Sequence, residues 1–258
     1  MASAPTNLAD LTARGVVSGA LAGVTARERT LPLLPAFAEV LAQAAVQRGS
    51  VLACSGTASV SLALALAAGP SAEGAWVAVA GLPSLGLAAA AELGVALDRL
   101  VAVVEPVGAE GAPEPFDDGL WGDALAALID GFDVVVLGPG TQRVRPGTAR
   151  RLLARLQARG AVAITIGAPV FGADLQLAAT HTAWAGLGQG HGVARARMVR
   201  VEASGRRLAR ARHAHLWLPG PDGTVQVVVA DPAGTSTAST STASTSTAGT
   251  ALPLRQTG

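Results

Sequence analysis

Where an apolar strand opens through glycine into a helix, main-chain N–H groups converge and can cradle a phosphate. In this sequence the apolar run Val51-Leu52-Ala53-Cys54 leads through Ser55 into Gly56-Thr57-Ala58-Ser59-Val60-Ser61. Gly56, Thr57, Ser59 and Ser61 are the residues with the backbone freedom or the hydroxyls such a site needs. The full pattern for a nucleoside triphosphate is G-x-x-x-x-G-K-[ST], whose lysine reaches the β- and γ-phosphates and whose hydroxyl binds magnesium. Neither the second glycine nor the lysine is present, and all nineteen basic side chains of the chain are arginine. An Ala/Arg bias from GC-rich coding accounts for arginine at ordinary surface positions. It does not account for a phosphate-binding lysine, because the forked guanidinium is no substitute for a point charge there. The backbone could still hold an anion, but a plain strand-to-helix turn is the simpler reading, and no cofactor is expected.

Other chemistry is sparser. His213 and His215 share one strand face at i, i+2, but no third ligand stands at a recognisable spacing, so they read as surface histidines rather than a metal site. No Ser/His/Asp or Cys/His arrangement is present, so no catalytic residue is assigned. Charge is uneven: residues 143–159 carry six arginines and no acid, and residues 195–212 carry seven against Glu202 alone. Arg151, Arg155 and Arg159 fall at i, i+4 and i+8 on one helix face, with Arg150 beside them, and read either as a solvated face or as a contact for an acidic partner or the DNA backbone. Arg195, Arg197, Arg200, Arg206, Arg207, Arg210 and Arg212 form a denser electrostatic surface. No aromatic residues interleave with them, which argues against base stacking.

The elements that would position these residues follow from hydrophobic spacing. Val51–Cys54, Trp76–Ala80, Leu100–Val104, Asp133–Leu137 and Val162–Ile166 are near-continuous apolar runs, as expected of parallel strands covered on both faces. Helical spacing covers the stretch from Pro32 to Gly49 through Leu33, Phe37, Val40, Leu41 and Ala44. It also covers 59–68, ending at Gly69-Pro70, and 84–93, ending at Gly94. A further helix is capped by Asp117 or Asp118 and buries Trp121, Leu125, Leu128 and Ile129. Another starts at Pro146, buries Leu152, Leu153 and Leu156, and closes at Gly160. Leu175–Trp184 and Val193–Glu202 read as strands joined by the glycine-rich turn Gly186–Gly192, which lies before no helix and so is no phosphate loop. Ala214–Leu218 and Thr224–Val229 read as a second hairpin. Trp76, Trp121, Trp184 and Trp217 all fall in apolar segments and read as core or interface anchors.

Three regions result: a weakly ordered lead-in at 1–30, a core domain at 31–230, and a tail at 231–258. The Thr-Ser-Thr-Ala repeat in the tail cannot offset its ordering entropy and is expected to be disordered. Half the residues are apolar and the net charge of +1 makes no demand for nucleic acid. The single Cys54 excludes an internal disulfide. No charged leader precedes an apolar stretch, and apolar runs break well before the ~20 residues of a membrane helix. A cytoplasmic protein without membrane contact is expected.

Residues 31–230 resemble the RecA recombinase core, and most closely the actinobacterial ImuA-prime group of RecA-like accessory factors in SOS-induced mutagenesis. The resemblance is carried by Gln47–Gly56, Ala91–Leu100, Gly131–Gly138 and Trp217–Gly223, in that order and spacing. It implies an α/β fold of RecA type, with a largely parallel central sheet flanked by helices and ending in antiparallel strands. Against that family's pattern, Gly138 stands where the metal-associated acid ends its strand, and Gly81-Leu82-Pro83-Ser84-Leu85-Gly86 replaces the stretch with the catalytic glutamate. With the lysine, three parts of an ATPase are absent, so no enzymatic activity is expected. The segments matching the DNA-gripping loops, Gly138–Arg145 and Gly167–Gly172, are short. The resemblance implies a non-enzymatic adaptor in translesion synthesis during DNA repair, partnering an ImuB-type inactive Y-family polymerase. The error-prone C-family DNA polymerase, RecA and DNA itself are further partners it allows. A residual nucleotide switch acting on DNA and a SulA-like cell-division inhibitor are the alternatives.

Overall fold

A computed structural model describes residues 29–106, 114–187 and 192–228. The expected lead-in, except its last two residues, and the expected low-complexity tail lie outside the described residues. The chain runs β1 (Thr30–Pro32), a 3-10 turn, α1 (Ala38–Leu41), β2 (Ala45–Gln47), β3 (Val51–Ser55), α2 (Ser59–Ala72), β4 (Val77–Ala80) and α3 (Leu87–Glu92). It continues through β5 (Leu100–Val103), α4 (Asp118–Gly131), β6 (Val134–Leu137), α5 (Pro146–Arg159) and β7 (Val162–Ile166). It closes with β8 (Leu175–Leu187), β9 (Gly192–Ser204), β10 (Arg212–Trp217) and β11 (Gln226–Val227).

Nine strands form one sheet in the order β11-β10-β9-β8-β3-β7-β6-β4-β5. From β8 to β5 every pairing is parallel. From β8 outward to β11 every pairing is antiparallel. The fold is therefore mixed α/β, with a large, mostly parallel sheet that ends in antiparallel strands. The five apolar runs read from the sequence coincide with β3 to β7 to within a residue. Residues of β4, β6 and β7 are buried throughout. β5 is half exposed, because it is the edge strand.

The sheet separates two cores. On one face lie α2, α1 and the β1–β2 ribbon with α3. On the other, α4 and α5 press Trp121, Leu125, Leu152 and Leu156 against Ala78, Val135 and Ala163. Asp117 is the residue that caps α4, accepting the Leu120 N–H at 2.8 Å. Gly160 closes α5 in the left-handed conformation, φ 76°. At the opposite end of the strands, Asp133 accepts from Arg48 at 2.9 Å and from the Trp76 N–H at 3.2 Å, and Asp174 accepts the Val51 N–H at 3.0 Å.

Three helix boundaries differ from the sequence expectation, among them α3, expected over 84–93 but formed only over Leu87–Glu92. The stretch from Pro32 to Gly49 is not one helix: α1 is a single turn, broken at Ala42 with φ 68°, and Ala45–Gln47 instead pairs with Thr30–Pro32. The helical spacing of Leu33, Phe37, Val40 and Leu41 is met by burial of all four without a continuous helix. A further difference is in α2, which does not stop at Gly69-Pro70 but runs on to Ala72. Pro70 forfeits one helical hydrogen bond. Burial of Gly69, Pro70 and Ser71, and the Ser71 hydroxyl accepting the Ala96 N–H at 3.0 Å, hold it in place. Gly69 is there for closeness: a Cβ on it would meet the Leu33 main chain at 2.6 Å.

Gly69→Ala sets the two roles of that glycine against each other. Helix propensity favours alanine by about 1 kcal/mol, but the contact is with backbone, which cannot rotate away. A net loss of about 2 kcal/mol is expected from overpacking. A urea midpoint equal to or above wild type would contradict the close approach.

Candidate functional site at the carboxyl ends of the parallel strands

Ligands of open α/β sheets sit beyond the carboxyl ends of the strands. Here those ends are Gly56 after β3, Gly167 after β7, Gly138 after β6, Gly81 after β4 and Glu105 after β5. Gly56 has φ 89°, and a Cβ on it would lie 2.3 Å from the Ala179 carbonyl oxygen of β8. The Ala58 N–H donates to that same oxygen at 3.1 Å. The His181 N–H donates to the Thr57 hydroxyl at 3.0 Å. Gly56 and Thr57 are thus pinned against β8, and the loop spends an N–H and a hydroxyl on protein partners. Ser59 and Ser61 lie in the first turn of α2, which has no side-chain cap.

The positions that the RecA resemblance assigns to the acids are filled by main chain. Gly138 donates its N–H to Ala80 at 2.8 Å, and Gly140 donates to the Gly81 carbonyl at 3.0 Å. A Cβ on Gly138 would stand 2.4 Å from that carbonyl oxygen, and one on Gly81 would stand 2.9 Å from Thr141. Buried Thr141 ties the turn by donating its hydroxyl to the Gly138 carbonyl at 2.8 Å. No side chain, acidic or otherwise, fits at Gly138 with this backbone.

One carboxylate does stand in this row, one strand beyond the expected place. Glu105 accepts from the Phe116 N–H at 3.0 Å, from the Trp121 indole at 3.1 Å and from Arg143 at 2.5 Å. Partial burial pushes its carboxyl up, but these hydrogen bonds and the charge of Arg143 outweigh it and hold the group below its ordinary value. A carboxylate so engaged is a structural tie rather than a base. The sequence signal was available, since Glu105 is the first acid after an apolar strand. Cys54, buried beneath the loop, has its thiol pushed up by desolvation, away from the reactive thiolate.

The arginine groups come out differently from a free basic surface. Arg155 grips the Asp130 carboxylate and Arg159 donates to the Asp130 carbonyl at 2.9 Å, so this stripe links α5 to α4. Arg151 donates to Thr148 at 3.4 Å. Arg150 lines a groove of about 460 Å³ between α5 and the turn that follows β7. In the second group, Arg206 and Arg207 both lie on Asp174, at 3.1 and 3.7 Å. Arg200 pairs with Glu202 at 2.7 Å, and Arg212 donates to the Glu39 carbonyl at 3.1 Å. Arg195 and Arg210 are exposed, and no ion pair or hydrogen bond engages either among the described residues.

Arg197 stands apart. It donates to the Leu218 carbonyl at 3.0 Å, its partly buried guanidinium is pushed down by desolvation, and it lies 5.4 Å from the centre of the Trp184 ring. His181 also packs on Trp184, with ring centroids 5.5 Å apart, and its Nδ1 is buried without a partner. No aromatic residue interleaves with these arginines along β9, and the one ring beside them, Trp184, comes from β8. Trp184 and Trp76 are both 44% exposed, whereas Trp121 is fully buried. His213 and His215 are exposed on β10, as expected of surface histidines. Among the described residues no cluster of three metal-binding side chains occurs, and no helix is long and apolar enough to cross a membrane.

The class is a mixed α/β protein with a mostly parallel sheet and glycine at four of its parallel strand ends. The chain belongs to the family described as MT3502 N-terminal domain, whose model matches residues 39–172. The match takes in β3 to β7 with all four glycine ends and stops before β8. Over 119 residues the chain is 36% identical to the uncharacterized protein Rv3395c of Mycobacterium tuberculosis (strain ATCC 25618 / H37Rv), a stretch covering 46% of this chain and 53% of the relative. The chain thus spans about half the length of that relative.

Two predictions follow from the geometry. Gly138→Asp is expected to give no magnesium binding by calorimetry and to cost roughly 2–4 kcal/mol in urea unfolding, because the new side chain must displace the Gly81 main chain; a stable variant that binds magnesium would contradict the closure. Glu105, with its folded-state value depressed, contributes stability that is present above the unfolded value of about 4.3 and lost as pH falls through the folded value. Glu105→Gln should therefore melt below wild type at pH 7, with the gap narrowing as the pH is lowered below about 4. A gap independent of pH would show that charge plays no part.

Proposed function

We propose that this chain is a RecA-shaped adaptor of the ImuA-prime group, working without nucleotide chemistry in a damage-induced translesion-synthesis assembly. Its partner in this reading is an ImuB-type inactive Y-family polymerase and, through it, the error-prone C-family DNA polymerase. The observation that carries the reading is the closure at Gly138 and Gly81. An ATPase needs a lysine, a metal-bound acid and a water-positioning carboxylate at the strand ends, and main chain stands where the acid would be. The mixed sheet, parallel from β5 to β8 and antiparallel beyond, supports the RecA-type reading of the fold.

An adaptor works through its surface, and the arginine contacts narrow which surface that is. Arg206 and Arg207 hold Asp174, which in turn holds the start of β3, so reversing their charge disturbs the fold and the surface together. Arg195 and Arg210 are the residues free to meet an acidic partner, with Arg197 and Trp184 beside the former.

Calorimetry with magnesium-ATP on the full chain is expected to give no saturable heat, and co-purification is expected to recover the ImuB-type partner. Tight ATP binding with turnover would overturn the reading in favour of a nucleotide switch. Recovery of the division protein FtsZ in place of the polymerase homologue would favour a SulA-like inhibitor. Reversing Arg195 and Arg210 to glutamate together should weaken partner binding by about tenfold at unchanged melting temperature. Unaltered affinity in that variant would remove the basic face from the proposal.

A further inference from the structure

The two ends of the sheet are not equivalent, and the β5 end is the less protected. Natural edge strands are blunted by charge, proline, bulges or a covering element. β5 reads Leu100-Val101-Ala102-Val103 and continues into Val104 with no charge inside the run, and among the described residues no strand lies on its outer side. Exposed large apolar side chains gather around it. Val101 is 38% exposed and Val104 48%, while Leu97, Leu87, Leu120 and Trp76, on the elements flanking β5, are 43%, 51%, 51% and 44% exposed. The three others of this kind among the described residues, Trp184, Leu187 and Val193, lie on the distant β8–β9 hairpin.

The sequence of this edge is self-complementary in the antiparallel sense. If Ala102 faces Ala102 of a second copy, Val101 faces Val103, Leu100 faces Val104, and Arg99 faces Glu105. Opposed residues in an antiparallel pair point to the same side of the sheet. The valines and the Arg99–Glu105 pairs then fall on the α4 side, beside Leu120. Leu100 and Val104 fall on the α3 side, with Leu87 and Leu97. Glu105 has an oxygen to offer, since its internal contacts all fall on Oε1. Arg99 uses one nitrogen on the Gly74 carbonyl at 2.9 Å and rests 5.8 Å from the centre of the Trp76 ring. No other register of this short strand pairs both charges while keeping the valines opposed.

We infer that the β5 edge is the interface of a closed two-fold dimer of this chain, two sheets joining edge to edge through antiparallel β5 strands. An isologous contact of this kind uses each edge once and stops at two copies. The inference stands independently of the adaptor reading, since it uses none of the residues at the strand ends except Glu105.

Sedimentation of the full chain is expected to show a monomer–dimer equilibrium with no larger species. Val101→Lys, at an exposed position, should weaken the dimer at least about tenfold by the edge-charge rule without lowering the melting temperature. Val193→Lys, on the exposed hairpin, should leave it intact. Ala102→Cys fixes the register: the native Cys54 is fully buried, so mild oxidation should yield a disulfide-linked dimer from Ala102→Cys and not from Val104→Cys, whose symmetry mate lies four residues away along the strand. A chain monomeric at 100 µM and above would overturn the inference. So would a dimer broken by Val193→Lys but not by Val101→Lys, cross-linking through Val104→Cys instead, or assembly beyond two copies.

Discussion

The structure depends on how closely main chains approach one another where the parallel strands end. Side chains usually set the distance between neighbouring turns, but at Gly56, Gly81 and Gly138 they are absent: carbonyl oxygens occupy the volume where a Cβ would be at Gly56 and Gly138, and Thr141 occupies it at Gly81. This closes the crevice that an open α/β sheet ordinarily offers to ligands. The closure is cooperative in a geometric sense. Gly138 bonds to Ala80, Gly140 bonds to Gly81, and Thr141 ties the turn back onto Gly138, so the three contacts share one turn.

With the strand ends sealed, polar groups that would serve chemistry in an open site serve the fold instead. Glu105 collects three donors and joins β5 to α4 and to the turn after β6. Asp174 joins β8 to the start of β3 and meets two arginines. Asp130 joins α4 to α5. These ties lie mostly near the surface, where an isolated ion pair contributes little; their role is in orientation, each linking elements far apart in the chain. Core energetics rest on the apolar layers, above all α2, hydrophobic around its circumference and buried along most of its length as such helices must be. Its Gly69-Pro70 turn, a stop signal in isolation, becomes a point of close packing because Leu33 lies directly against it.

The surface that remains is divided. At the antiparallel end, Trp184 and Arg197 give a mixed aromatic and basic patch with exposed Arg195 two residues from Arg197, while exposed Arg210 stands in the turn between β9 and β10. At the opposite end, β5 and its leucine neighbours give an apolar edge without charge inside it. These are chemically distinct surfaces on opposite ends of one sheet.

Much of the architecture is legible in the sequence itself. Five apolar runs, each too short for a helix and bounded by turns, specified β3 to β7. The Asp117-Asp118 pair, Pro146 and Gly160 marked helix ends because their chemistry suits those positions whatever surrounds them, and packing chose Asp117 of the pair. The absence of lysine, and of carboxylates at Gly138 and Gly81–Gly86, was equally plain. What the sequence could not determine was any property arising between segments distant along the chain. Helical spacing over Leu33–Leu41 reported burial correctly but not the break at Ala42, because the competing pairing of Ala45–Gln47 with Thr30–Pro32 is tertiary. Arginine spacing defined stripes, yet whether a guanidinium faces solvent or an Asp130 or Asp174 brought from elsewhere is decided only by packing. The ring of Trp184 reaches Arg197 only because β8 lies beside β9. From the sequence alone, then, came the periodicities and the missing chemistry. Tertiary structure alone decided that the vacated positions are filled by backbone, since only neighbouring turns can say how much room a glycine leaves.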